Sequence, residues 1–485
     1  MRILVLGGSP KGETSVTMQY VRWIRESLRG HEVETIQIAS RIAAIERDRA
    51  EFDKVLVAVR GADAILWAFP LYVFTVCSQY KRFIELVWER SSEGAFAGKY
   101  AASLSTSIHF FDNVAHDYIR AVSEDLGMRF TGYFSPRMED LRKLESRRQL
   151  ELFAEGLAAA AEGRLSLPRR NAPLPVLEAP RASERPSDIL PVAGAAGKKV
   201  LVLVDYPELA IGAMARRFAA AARAAGAQAE LLPLEAMGMR GGCLGCLKCG
   251  QANHCAYEGK DGFIEAFRSK VMSADLLIYA GTVRDRLLSS RWKAFLDRGF
   301  FNTHQQVLTG KQFVYLVAGP LTRLDALRQS LQAYVEWQGG NLIDMISDEV
   351  STSEELDSLI DDGSRRAARA LAAAEARPAT FLGVGGMKIF RDDIFGPLRV
   401  VFKADHRAFK RTGVYGDIPT RKPLERAAVF LGYWITSIPK VYRGMISNFP
   451  AFMIKNFETV FAAVPDKRRE AAKESARAGR RSKVA

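Results

Sequence analysis

The segment GADAILWAFPLYVFTVCSQYKRFIE, residues 61–85, returns as SADLLIYAGTVRDRLLSSRWKAFLD, residues 273–297, without a gap. An offset of 212 aligns Asp63 with Asp275, Lys81 with Lys293 and Phe83 with Phe295, and it still holds where Gly98-Lys99 meets Gly310-Lys311. At the front, RILVLGGSP (2–10) matches KVLVLVDYP (199–207) at an offset of 197. Self-similarity of this kind means two copies of one supersecondary pattern, which restricts the fold to a tandem duplication. The change of offset shows that the second copy has gained 15 residues ahead of its third strand.

Within the first copy, apolar strand-like runs (RILVLGG, EVETIQI, DAILWAFP, YAASLSTS and RFTGYFSP) alternate with helical periodicity. Alternation at this length predicts an α/β fold: two tandem doubly wound parallel sheets with helices on both faces. The predicted boundaries are a first domain over 1–165, a proline-rich linker over 166–197 and a second domain over 198–365. A basic, mostly helical C-terminal extension follows over 366–465, then a disordered basic tail over 466–485. With 48% hydrophobic and 26% charged residues, the bulk of the chain is expected to fold and not to span a membrane. The longest apolar run of the extension, AAVFLGYWITSIP, is shorter than the ~20 residues a spanning helix needs.

MRILVLGGSP carries no signal-peptide pattern, so a cytoplasmic location is expected. The formal charge of +14 is concentrated at the end, where residues 381–485 hold 21 Lys and Arg against 9 Asp and Glu. That pattern suits an acidic protein carrier, or a peripheral membrane contact through Tyr433, Trp434, Phe452 and the flanking basic residues. It equally suits a helical cover with a solvated end, and no nucleic-acid partner is expected.

GGSPKGETS (7–15) joins the first strand to the first helix at the carboxyl end of a parallel strand. Its glycines allow a tight turn, and Ser9, Lys11, Thr14 and Ser15 offer hydroxyls and a cation beside the free N–H groups of a helix start, which suits a phosphate. The loop is neither G-x-G-x-x-G nor G-x-x-x-x-G-K-[ST], which disfavours dinucleotide-fold and P-loop proteins. In the second copy the loop reads DYPELAIGA, with Asp205 in the place of Gly8 and no Ser/Thr cluster, so that copy is expected to have kept the fold and lost the phosphate.

With these loops the sequence resembles the NAD(P)H-dependent FMN reductases and quinone reductases of the flavodoxin-like superfamily. The resemblance assigns Ser9, Lys11, Thr14 and Ser15 to the FMN phosphate, and Pro70, Leu71, Tyr72, Val73 and Phe74 to the edge of the flavin ring, with Tyr72 and Phe74 as its stacking surface. It assigns the loop from Ser105, Thr106 and Ser107 to the far side of the ring, with His109 and Asp112 as weaker candidates. It also implies NAD(P)H as co-substrate. No ionisable residue is singled out as catalytic.

Cys243, Cys246, Cys249 and Cys255 are spaced C-x2-C-x2-C-x5-C, with Gly242, Gly245 and Gly250 beside them, inside the interval gained by the second copy. The spacing lets four thiolates converge, as a [4Fe-4S] cluster requires. Structural zinc and metal-free or redox-active thiols remain open. The run is similar to the compact cysteine loop of the iron-sulfur flavoproteins, a branch of the same superfamily. Cys77 reads as a small buried residue, and His254 as a solvated loop histidine.

These features lead to an expectation of a flavin-dependent oxidoreductase. Electrons would pass between NAD(P)H or a reduced carrier, FMN and a [4Fe-4S] cluster to a small-molecule or protein acceptor. The two copies are expected to pair as an intrachain pseudo-dimer that could assemble further. The alternatives are a cluster-free NAD(P)H:quinone or FMN reductase, and a non-enzymatic electron carrier or redox sensor.

Overall fold

The computed structural model describes residues 1–176, 178–186, 189–418 and 423–444. Phe452 and the tail 466–485 lie outside the described residues. The first copy runs β1 (Arg2–Gly7), α1 (Val16–Ser27), β2 (Glu32–Gln37), α2 (Ile42–Arg47), α3 (Arg49–Gly61), β3 (Ala64–Pro70), α4 (Ser78–Glu89), β4 (Tyr100–Thr106), α5 (Asp112–Asp125), β5 (Arg129–Phe134) and α6 (Leu144–Glu162). The second runs β6 (Lys199–Val204), α7 (Ala210–Ala224), β7 (Gln228–Pro233), α8 (Cys249–Ala252), α9 (Phe263–Ala266), β8 (Leu276–Thr282), α10 (Ser290–Gly299), β9 (Gln312–Ala318), α11 (Asp325–Trp337), β10 (Asn341–Ser347) and α12 (Ser353–Ala373).

Both sheets are parallel throughout and have the same order, β2-β1-β3-β4-β5 in the first and β7-β6-β8-β9-β10 in the second. The central strands are near-continuous apolar runs because helices cover both faces, which leaves no solvent side to demand alternation. One core lies under α1 and α6, where Met18, Val21, Leu150 and Leu157 meet Val5, Leu66 and Leu104. Its counterpart lies under α7 and α12, where Met214, Phe218, Ile360 and Ala367 meet Val202, Ile278 and Leu316.

Helices α4 and α10, equivalent in the repeat, pack on each other. The contact is reciprocal. Ser78 N donates to Asp297 Oδ2 at 2.8 Å, while the equivalent Ser290 donates from its backbone N and hydroxyl to Glu85, the residue equivalent to Asp297. A self-complementary patch used in both directions is the signature of a two-fold contact. Lys81 is fully buried in this interface, with Nζ 2.8 Å from both carboxylate oxygens of Asp285, which also accepts from Tyr118 at 2.9 Å.

The proline-rich segment between the copies is fastened at several points. Asn171 donates to the Glu124 carboxylate, Arg286 to the Ala172 carbonyl, and Ser183 to Asp357. The extension divides in two. Helices α13 (Phe381–Phe395) and α14 (Lys403–Arg411) belong to a compact unit formed by Met1–Val414, and a second unit begins at Tyr415. In that second unit, α15 covers Pro423–Thr436. No helix among the described residues is long and apolar enough to cross a membrane.

Candidate functional site

Gly8 sits where β1 ends. A Cβ there would press on Phe69 and Tyr80 at 2.9 Å, so the chain at this point lies flat against the sheet. The loop then turns through Gly12 at φ +57° and enters α1 at Ser15, whose hydroxyl caps the helix by accepting from Met18 N at 3.3 Å. Ser9 is buried and accepts from Lys11 N at 3.2 Å, and Thr14 donates to the Lys11 carbonyl at 2.9 Å. Lys11 itself is exposed. Three hydroxyls, an ammonium and the first N–H groups of α1 form a donor set that fits a phosphate.

The loops expected to surround a flavin ring divide sharply. Leu71 N bonds the Thr106 carbonyl and Tyr72 N the Thr75 carbonyl, giving a tight turn over 72–75. Leu71, Tyr72 and Val73 stay half-buried at its surface, next to Pro70 at the end of β3. Phe74, at φ +63°, is turned inward instead. It packs against Phe110, Phe111 and, from the second copy, Trp337, so it presents no free stacking face, contrary to the sequence expectation. The hydroxyls of the third loop are likewise engaged. Ser105 contacts His116 Nε2 at 2.9 Å, Thr106 contacts Thr17 at 2.7 Å, and Ser107 accepts from His109 N at 2.8 Å. His109 and Asp112 pair with each other at 2.9 Å.

His116, which sequence reasoning did not single out, is held between the Ser103 and Ser105 hydroxyls with Tyr133 stacked on its ring at 4.5 Å. Burial pushes its pKa down to about 4, so it is a neutral imidazole fixing the end of β4. The alternating serines Ser103 and Ser105, on one face of a strand, were the available signal.

The second copy has no comparable cradle. Asp205 is fully buried and accepts from Thr282 N at 3.0 Å and from the Ser289 hydroxyl at 2.6 Å; burial raises its pKa to about 6. The Pro207 carbonyl folds over the start of α7, where a Cβ on Gly212 would collide with its oxygen, and Arg216 donates to that same oxygen at 2.9 Å. The loop offers none of the hydroxyls that line its counterpart in the first copy, and the Asp205 carboxylate would repel a phosphate.

The cysteine loop of the second copy lies against the 7–15 loop and the 70–79 segment of the first. A Cβ on Gly245 would collide with Tyr72 Oη and come within 3.3 Å of Lys11 Cε; one on Gly242 would collide with Ser78 and Gln79. Gln79 Nε2 donates to the Cys243 carbonyl at 3.0 Å. The 7–15 loop, the turn over 72–75 and the cysteine loop therefore meet at one place.

Cys243, Cys246, Cys249 and Cys255 line a single cavity of about 30 Å³, walled by Leu244, Leu247, Phe300, Phe301 and the Arg298 side chain. All four are free thiols. Burial pushes Cys243 and Cys249 up to about 12, so both are protonated at neutral pH. Among the described residues, no group of three or more Cys, His, Asp or Glu side chains is drawn together tightly enough to hold a single metal ion. His254 turns away to Glu258 at 2.8 Å, and Cys77 is buried with its thiol donating to the Gly8 carbonyl.

Helix α14 covers the far side of this loop. Arg407 donates to the Gln251 carbonyl at 2.6 Å, and the Val401 carbonyl would lie 2.5 Å from a Cβ on Gly250. Asp405, fully buried, binds His304 Nδ1 at 2.7 Å and anchors the cover.

The family profile for NADPH-dependent FMN reductase matches residues 1–130 and again 199–347, more than half of the chain and one match per copy. Among solved structures, an NADH:FMN oxidoreductase (EMOB, apo form) is 20% identical with a TM-score of 0.29, covering 34% of this chain and 91% of its own. An oxidoreductase from Corynebacterium diphtheriae is 19% identical with a TM-score of 0.29, covering 34% of this chain and 99% of its own. RosB with bound 8-demethyl-8-formylriboflavin-5'-phosphate is 12% identical with a TM-score of 0.29, covering 34% of this chain and 79% of its own. No curated protein matches the chain significantly. On the two profile matches, together with the duplicated parallel sheets, the chain belongs to the NADPH-dependent FMN reductase family of flavin oxidoreductases, in two tandem copies.

Proposed function

We propose that the first copy alone binds FMN, that the cysteine loop of the second holds a [4Fe-4S] cluster, and that the pair moves electrons from NAD(P)H or a reduced carrier to a small-molecule or protein acceptor. In this reading the two copies act as an intrachain pseudo-dimer. The observation that carries it is the meeting of Lys11, Tyr72 and Gly245, which sets the cluster loop of one copy on the flavin loops of the other.

FMN would supply the change between two-electron and one-electron chemistry, and the protein orientation and electrostatics. Ser9, Thr14, Ser15, Lys11 and the start of α1 bind and charge-compensate the phosphate. Pro70 to Val73 edge the ring, while Phe74 and its aromatic neighbours back that turn and keep water out. Gln79 fixes the cysteine loop, and the extension helix α14 shields its outer side.

The rival reading, a cluster-free NAD(P)H:quinone or FMN reductase, draws on the absence among the described residues of a tight metal-holding group. Flavin loading tests the assignment of the first copy. Ser9→Asp with Thr14→Asp places carboxylates against the phosphate and is expected to yield flavin-free protein. A variant that still copurifies with one FMN per chain would overturn it.

A further inference from the structure

Helix α15 carries an apolar surface that neither the flavin nor the cysteine chemistry uses. Leu424, Phe430, Leu431, Tyr433, Trp434 and Ile435 are each between 47% and 85% exposed, where large apolar side chains are ordinarily covered. Leu424, Ala427, Leu431, Trp434 and Ile435 recur at helical spacing and form one stripe. Trp434 packs edge-on with Phe430 at 6.2 Å and with Tyr433 at 5.8 Å, so the aromatics form one raised group. Ile438 and Tyr442, also exposed, continue the apolar surface beyond the end of the helix.

The helix has 14 residues, which makes it about 21 Å long. A hydrocarbon core of ~30 Å is too thick for it to span. The charge around it is mostly basic: between residues 421 and 457 the sequence holds Arg421, Lys422, Arg426, Lys440, Arg443 and Lys455 against the single acid Glu425. Two copies of such a segment repel each other, whereas an anionic lipid surface attracts it. Trp and Tyr prefer the headgroup level, where a ring can be half apolar and half wet. We propose that α15 lies in the plane of an anionic membrane interface, with Leu431, Trp434 and Ile435 sunk below the headgroups and the basic residues of the stretch facing the lipid phosphates.

The test is co-sedimentation of the full-length chain with phosphatidylcholine vesicles, and with vesicles of phosphatidylcholine and phosphatidylglycerol in equal parts. The chain is expected to bind the anionic vesicles and to be released by salt. Lys440→Glu with Arg443→Glu should weaken binding by about thirtyfold or more, since each basic residue near such a surface is worth about a factor of five. Leu431→Glu with Trp434→Glu should abolish binding with an unchanged unfolding midpoint. Wild-type protein that stays in solution with anionic vesicles overturns the proposal, as does undiminished binding by the Leu431/Trp434 variant. A concentration-dependent dimer that Trp434→Glu dissolves, without vesicle binding by either form, would assign the face to a second copy of the chain instead.

Discussion

The Gln79 side-chain amide donates to the Cys243 carbonyl at 3.0 Å, across a sequence separation of 164 residues. Gln79 lies in the first turn of the helix that follows the turn over 72–75 of the first copy, and Cys243 opens the cysteine loop of the second. One hydrogen bond thus joins the two places where cofactor chemistry is expected. Gly242 and Gly245 make this approach possible because side chains at either position would meet the first copy.

Gly245 sits at φ +61°, and a Cβ would collide with the Tyr72 hydroxyl. Gly245→Ala is expected to cost about 1–3 kcal/mol in strain alone, and more from the collision. Adding Tyr72→Phe should return the collision part and leave the strain. Denaturant titration of the two single variants and the double variant reads this coupling; strictly additive effects would show that the two residues do not touch.

Lys81 is the buried cation on which the interface carboxylates depend. Lys81→Met strands Asp285 and the nearby Glu85 without their ammonium, and the expected loss is about 3–5 kcal/mol. The same measurement on Lys293→Met should show strain at Asp297, its own i+4 partner, because the repeat places the same pair on α10. A loss under about 1 kcal/mol at Lys81, the range of an exposed pair, would contradict the burial.

His116 sets a pH dependence. Its folded-state pKa of about 4 lies below the ordinary 6.5, so the unfolded chain takes up the proton first as pH falls. The stability held by the neutral ring is complete above pH ~6.5 and is lost as pH falls from there through about 4, by about 3 kcal/mol in all. His116→Gln keeps a hydrogen-bonding side chain between Ser103 and Ser105 and cannot titrate. Its unfolding midpoint should therefore be flatter over that window; equal pH slopes for wild type and variant would rule out His116 as the source.

Asp205→Gly tests whether one residue emptied the second phosphate loop. The Pro207 carbonyl over Gly212, held by Arg216, predicts that it did not. The variant should bind no additional FMN by flavin fluorescence after denaturation, and a gain of a second FMN would show that the carboxylate alone had closed the site.

Both sheets were legible in the sequence because buried parallel strands are written as local apolar runs, and the duplication repeats that signal from Asp63 to Asp275. The change of loop at Asp205 was legible for the same reason, since a repeat supplies its own comparison. What could not be read was set by distant partners. Phe74 looked like a ring-stacking residue, but Trp337 and Phe110 draw it inward. Ser105 looked like a loop donor, but the pleat of β4 turns its hydroxyl to His116. The cover over Cys249 depends on Asp405 meeting His304, a pair separated by 101 residues with no motif to announce it.

Cofactor content of the anaerobically purified full-length chain tests the central claim most directly. One FMN per chain, with about four irons and four acid-labile sulfides that disappear together in Cys246→Ser while the FMN stays, is the predicted result. Two FMN per chain, or one FMN with neither iron nor sulfide, would contradict it.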